Sequence, residues 1–520
     1  MSTPSEPRAD QLETELSGKR SARPILLFGV VGVAALTIGG GAFAVNAMMD
    51  GGGDQPSTAL PGNVAAYVQV DIDPSVGQKV AALQFFQGMD TQELDEMREG
   101  QGREALFDWI VEDDPDGPLA DMSYEEDVEP WLGDRAGIGV LPGETPDDLV
   151  PVVAVQVKDE AAAESFLNEV VTADANDQVE FFFRGDYVVL AEPAEAEGVK
   201  IAMDQGTLAE SPAFTADLEA IGEQGIVSMW ADLPAFQALS NNVNEELNAT
   251  LGDTAGSTPL MDGKTELEGR MAATLRFDDD AIEFYGAAFD AGASPIEGGD
   301  SAHLVSTLPD DTSMAFALEH GDQYVDQIWS LLEEAYPDDT AAAQDEAAAE
   351  GFTLPEDLKT MLGDSAVFAA GPDISDVDGM NDAEIPSIGY AASTDADAAE
   401  GLVDRLIEFS GEGMSAEEMG ISYGAEGDVF VVASDPEYQT ALASDGDLGS
   451  TRDFELAVPD ADDADAAAFV SLNDLEPLYL EELSAGQQRD MVASMAAVGM
   501  ATTSDGEGGA TFSMRLIFDE

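Results

Sequence analysis

The feature that most constrains this chain is that it carries one pattern twice. Leu60-Pro61 followed by VAAYVQVD (Val64–Asp71) returns as Leu308-Pro309 followed by TSMAFALEH (Thr312–His320). WLGDRAGIGVLP (Trp131–Pro142) returns as MLGDSAVFAAGP (Met361–Pro372), with Leu-Gly-Asp and the final proline kept. FLNEVV places Phe166, Leu167, Val170 and Val171 on one helical face, and LVDRLI repeats this with Leu402, Val403, Leu406 and Ile407. GDYVVLAEP (Gly185–Pro193) matches GDVFVVASDP (Gly427–Pro436). Phe214 pairs with Phe454, Asp232-Leu233 with Asp474-Leu475, and Phe277-Asp278 with Phe518-Asp519. Matches in the same order along the chain imply a duplication, so one supersecondary plan must serve both halves.

Within each copy, strand-like runs (AYVQV, AGIGV, VPVVAVQV, VEFFF, YVVLA, IVSMW) alternate with helical stretches. That pattern predicts an α+β fold: two tandem related units, each a mixed or antiparallel sheet with packed helices. VEFFFRGDYVVLA reads as a hairpin turning at Arg184-Gly185-Asp186, and RMAATLRFDDDAIEFYGAAF as another turning at Asp278–Asp280. Unit one is expected over residues 58–290, a Gly/Pro-bearing joint over 291–303, and unit two over 304–520. With Phe277-Asp278 set against Phe518-Asp519, the second copy is expected to end one strand early. That would leave an open edge or a place for an exchanged strand. Met491, Met495 and Met500, with Val492 and Val498, fall at near-helical spacing and read as the core face of a helix.

Ahead of the repeats, Ile25–Met49 is uncharged and apolar. Its twenty-five residues exceed the roughly 20 that cross a bilayer core. Lys19, Arg20 and Arg23 precede the run, and Asp50 and Asp54 follow it. The positive-inside bias predicts a cytoplasmic tail (1–24), a single transmembrane helix (25–49) after which the fold begins, a linker (50–57) and an extracytoplasmic remainder. The first partner is therefore the cell membrane, through Ile25–Met49. A cleaved signal peptide is the alternative, since Ala42-Phe43-Ala44 has the small-x-small form, but the run is longer than a typical h-region.

Against 107 Asp plus Glu stand 19 Lys plus Arg, a formal net charge of -88. Phosphate backbones demand cations, so no nucleic acid is expected as a partner. Docking to anionic lipid is disfavoured for the same reason. Such a charge repels itself, and screening at molar salt, where the Debye length is ~3 Å, removes most of that penalty. The acidity reads first as adaptation to salt or to a polyanionic wall, and second as divalent-cation capture. The absence of cysteine excludes disulfides, thiolate nucleophiles and a lipidated cysteine.

LPGNVAAYVQVDIDPSVGQKVAALQFF, placed after a single apolar span, and PWLGDRAGIGVLP resemble the actinobacterial family called domain of unknown function 3352. The resemblance covers nearly the whole outer portion. It implies an envelope-anchored protein of a high-GC Gram-positive bacterium, and it brings no catalytic or binding residues to carry over. The second copy departs from the motif, with Thr360-Met361 for Pro130-Trp131 and Ser365 for Arg135.

No catalytic, cofactor-binding or metal-ligating set emerges from the residues. The histidines are His303 and His320, with no strand–elbow motif to make either a general base. Two isolated histidines without cysteine do not make a zinc site. Asp134 and Asp364 recur in the two Leu-Gly-Asp motifs and read as turn residues. Asp376-Val377-Asp378-Gly379 begins like an EF-hand loop, but Ile374 and Ile385 occupy ligand positions one and twelve. Asp373, Asp376, Asp378 and Asp382 read as a solvated insertion. Trp109, Trp131, Trp230 and Trp329 could stack sugars but fit buried positions better. The expectation is a non-catalytic envelope module that binds an unidentified envelope protein or wall component. The rivals are an extracytoplasmic hydrolase using paired carboxylates and a module that depends on calcium or salt.

Overall fold

A computed structural model describes residues 54–71, 122–143, 149–173, 179–237, 267–278, 281–292 and most of 299–519, with a few isolated positions between them. Two compact units result, Met1–Thr258 with Arg270–Arg276, and Pro259–Gly269 with Phe277–Glu520. The run Ile25–Met49 lies outside the described residues; among those described, no helix is long and apolar enough to cross a membrane.

Unit one contains β1 (Ala66–Asp71), β2 (Leu132–Pro142), β3 (Leu149–Val157), β4 (Glu180–Arg184), β5 (Tyr187–Ala191), β6 (Val227–Asp232) and β7 (Arg270–Asp278). Their order in the sheet is β4-β5-β3-β2-β1-β6-β7, every neighbour antiparallel. Three helices, α1 (Glu160–Ala173), α2 (Ala196–Gln205) and α3 (Pro212–Ala220), connect these strands. The expected β4–β5 hairpin is present: Arg184 pairs with Tyr187, and Gly185 takes φ +58°, a conformation that glycine adopts without strain. One sheet face buries Val70, Ala136, Val153, Val155, Val188 and Leu190 beneath Leu167 and Val170 of α1. Trp131 closes that core, its ring 5.2 Å from Phe166. The opposite face carries Tyr67, Phe214 and Trp230 stacked edge to face at 5.4 and 5.7 Å.

Two ion pairs, each holding a buried carboxylate, lock this unit. Arg135 Nε donates to Asp71 Oδ2 at 2.8 Å, and Gln55 Nε2 donates to the same oxygen at 3.1 Å. Arg270 grips Asp217 through Nε (2.8 Å) and Nη2 (3.2 Å), and Trp230 Nε1 donates to Asp217 Oδ2 at 2.9 Å. A buried carboxylate is tolerated because each receives several donors.

Unit two contains β8 (Ala281–Phe289), β9 (Met314–Glu319), β10 (Ser365–Ala370), β11 (Ile388–Ser393), β12 (Ser422–Glu426), β13 (Val429–Ala433), β14 (Ala466–Ser471), β15 (Met495–Ser504) and β16 (Ala510–Phe518). Their order is β12-β13-β11-β10-β9-β14-β15-β16-β8, again antiparallel throughout. Its helices are α4 (Ser301–Ser306), α5 (Gly321–Ala335), α6 (Pro337–Glu350), α7 (Glu356–Leu362), α8 (Ala396–Ser410), α9 (Pro436–Leu442), α10 (Arg452–Ala457) and α11 (Leu472–Tyr479). Adding eight to each strand number of unit one's order reproduces the first seven positions here. One face of the sheet packs Ala317, Val367, Ala391 and Val431 against Val305 of α4, Leu442 of α9 and Phe454 of α10.

Two expectations fail at the C-terminus. Met495, Val498 and Met500 lie on strand β15, not on a helix; Met491 is outside the described residues. MAAVGMATTS mixes small and large apolar residues so evenly that periods of 2 and 3.6 fit equally, and the sheet decides. Its Ala496 and Ala497 are both fully buried. A Cβ at Gly499 would lie 2.1 Å from Ala457 O, so that residue must be glycine for α10 to reach the strand. Because β15 exists, the second half does not end one strand early. The final strand β16 pairs with β15 on one side and β8 on the other, leaving no open edge there.

Candidate functional site

On the second face of unit two the described helices do not cover the whole sheet. β9 alternates MAFALE, so Ala315 and Ala317 enter the core while Met314 and Phe316 point to the opposite side. The register carries this across the sheet: Phe316 faces Phe368 on β10 and Ala468 on β14, and Phe368 faces Tyr390 on β11. In unit one the cross-strand positions Val153 and Leu190 are buried under α1. In unit two, α5 packs on α6 and α7, and α7 on α8, which gathers these helices over one end of the face. Ala399 and Val403 of α8 cover Phe430 there.

The uncovered remainder is an apolar groove of about 610 Å³ across β14, β9, β10, β11 and β13, lipped by Met419-Gly420-Ile421. Met314, Phe316, Phe368 and Ile388 are 39%, 40%, 44% and 43% exposed. Exposed aromatic and aliphatic side chains gathered in one concavity mark a binding surface more than a scatter of single surface hydrophobes does. Among the described residues no charged side chain lines the groove, and the polar side chains that do are the hydroxyls of Ser434 and Tyr390. The Tyr390 ring lies 4.8 Å from Phe368 at a tilt of 50°, and its hydroxyl is buried without a hydrogen-bond partner. Burial pushes that phenol's pKa up, so it stays neutral.

The residues singled out from sequence lie elsewhere. Trp131 and Trp230 are buried and donate to Asp127 O (2.8 Å) and Asp217 Oδ2 (2.9 Å), and Trp329 lies on α5. Trp109 lies outside the described residues. Arg135 is committed to Asp71. Asp134 accepts from Lys158 Nζ at 3.3 Å on the surface. Asp364 follows Gly363, which takes φ +56°, and its carbonyl accepts from the His320 amide at 2.6 Å. His303 lies in α4, while His320 takes φ 55° at the start of α5. Asp373 accepts from the Ser387 amide at 2.9 and 3.0 Å, whereas Asp378 and Asp382 lie outside the described residues. Among the described residues no group of three or more His, Asp or Glu could hold a metal ion.

One titratable cluster escaped the sequence. Glu319 ends β9 and sits across from Asp465, whose carbonyl accepts its amide at 2.8 Å. Burial raises the proton affinity of both carboxyls, and the neighbouring His320 opposes that rise in each. Tyr324, beside Asp465, is pushed up to about 12, first by burial. Neither carboxylate lines the groove.

Fold and groove together define an α+β protein with extensive antiparallel sheet and one open apolar face. The chain belongs to the family described as protein of unknown function (DUF3352), whose profile matches residues 25–350. That match begins at Ile25, the first residue of the apolar run. No curated protein and no solved structure matches the chain.

Proposed function

We propose that the protein is a single-pass membrane component of an actinobacterial cell envelope, with its N-terminus in the cytoplasm and two tandem related units outside. Its role there is non-catalytic: the outer portion binds an envelope component through the groove of unit two. The observation that carries this is the open apolar groove itself, walled by Met314, Phe316, Phe368 and Ile388 with no charged side chain among the described residues that line it. The anchor is supported by the uncharged run Ile25–Met49 and its flanking charges. Duplication is supported by the shared strand progression of the two units. The groove lies on the copy that has Met361 and Ser365 where the other has Trp131 and Arg135, so the copies would have diverged into a closed unit and an open one.

The hydrolase alternative requires a concave pocket holding a carboxylate of raised proton affinity. Glu319 and Asp465 have the raised affinity but do not line the groove. A photo-crosslinking residue placed at Phe316 on intact cells is expected to trap a partner. The same residue at Ile201, which is more exposed and lies in unit one, should not. No adduct at Phe316 would overturn the binding role.

A further inference from the structure

Resting on the groove as a binding surface, we propose that its occupant is an acyl chain of an uncharged membrane lipid. The first ground is the state of the groove floor. β14, β9, β10, β11 and β13 each have a neighbouring strand on both sides. Their backbone donors and acceptors therefore serve the sheet. A peptide lying on this face would bury its own N–H and C=O groups against Met314, Phe316, Phe368, Ile388 and Ile421, with little to bond them. A hydrocarbon chain has no such groups and loses nothing there. The second ground is size. About 610 Å³ falls within the range of roughly 300–1,000 Å³ that holds a small ligand.

Charge selects the head group. The segments that build the groove carry Asp373, Glu417, Glu418 and Asp435 at or near its ends and no Lys or Arg. Lys359 of α7 and Arg405 of α8, at one end of the face, are already paired with Asp326 and Asp357, so a carboxylate or phosphate head would meet an excess of like charge. A second copy of a chain with net charge -88 is disfavoured for the same reason. An uncharged head carries no such penalty.

The test uses the full-length chain in phosphatidylcholine vesicles at low salt, with three photoactivatable diazirine probes: a monoacylglycerol, the corresponding fatty acid, and an apolar peptide. Adducts are located by peptide mass within 312–318, 365–370, 386–393 and 415–421. The monoacylglycerol should label these segments, and the fatty acid should label them roughly tenfold less, its charge being excluded from an apolar acidic site. The double variant Phe316→Glu/Ile388→Glu should lose the label, while Leu478→Glu, an equally exposed apolar residue on α11, should keep it. Labelling by peptide but not by monoacylglycerol would overturn the lipid assignment and leave the binding role standing. Equal labelling by fatty acid and monoacylglycerol would overturn the selection by charge. Labelling by none of the three, or labelling unchanged in the double variant, would remove the groove as a binding site.

Discussion

Replacing Arg135 with alanine breaks an ion pair buried in the interior of unit one. The Arg135 and Asp71 side chains are 5% and 6% exposed, and the contact is 2.8 Å. The substitution leaves a carboxylate in the interior with Gln55 Nε2, at 3.1 Å, still donating to the oxygen that Arg135 served. Removing one member of a buried ion pair costs about 3–5 kcal/mol, because the surviving charge keeps its desolvation penalty. At roughly 2–4 °C per kcal/mol for a unit of this size, the melting temperature of unit one should fall by about 6–20 °C. Urea titration is the suitable assay, since guanidinium would also screen the acidic surface. Tryptophan fluorescence reports on this unit through Trp131 and Trp230, both buried there. The double change Asp71→Leu/Arg135→Met removes both charges together and should recover most of the loss. A drop of less than about 1 kcal/mol in the single variant would refute the idea that the pair is desolvated and mutually dependent.

Two further outcomes follow from single positions. Asp465→Asn should stabilise unit two at neutral pH: burial raises the folded carboxyl's pKa, so the wild type is penalised as pH rises through that value. The advantage should shrink as pH falls, vanishing below the ordinary aspartate range where both side chains are neutral; an advantage independent of pH in thermal melts would contradict this. Gly185 and Gly363 both have positive φ, but a Cβ at Gly185 meets nothing within 4 Å, whereas one at Gly363 would sit 2.3 Å from Ser393 O. Gly185→Ala should cost about 1 kcal/mol and Gly363→Ala distinctly more, compared by urea midpoints.

Much of the fold was legible because it is encoded locally. VPVVAVQV became β3, VEFFFRGDYVVLA became the β4–β5 hairpin, and Leu167, Val170, Leu402 and Val403 took the buried helical positions that their spacing implied. The exposed Leu406, assigned to the same face, shows where the cover over unit two gives out. β15 was missed because alanine, glycine and methionine suit strand and helix alike. The groove was illegible for a different reason. Phe316 and Phe368 alternate like any core residues, and what leaves them open is where α5 to α8 settle, a tertiary outcome with no local signature. A sharper hint was present in MAFALE, where large side chains share one face and alanines the other. The Glu319–Asp465 pairing depends on strand register across residues far apart in the chain, so no spacing could reveal it.

The absence of cysteine allows the central claim to be tested in one measurement. Single-cysteine variants at Phe316, Ile201 and Val431 would be exposed on intact cells to a small membrane-impermeant thiol reagent. Ile201 is 52% exposed and Val431 is 0%. An outward-facing protein with an open groove predicts rapid labelling of Ile201→Cys, appreciable labelling of Phe316→Cys, and none of Val431→Cys until the protein is denatured. Labelling of Ile201→Cys and Phe316→Cys only after lysis would place this portion inside the cell. Labelling of Phe316→Cys only after denaturation would mean that the groove is closed.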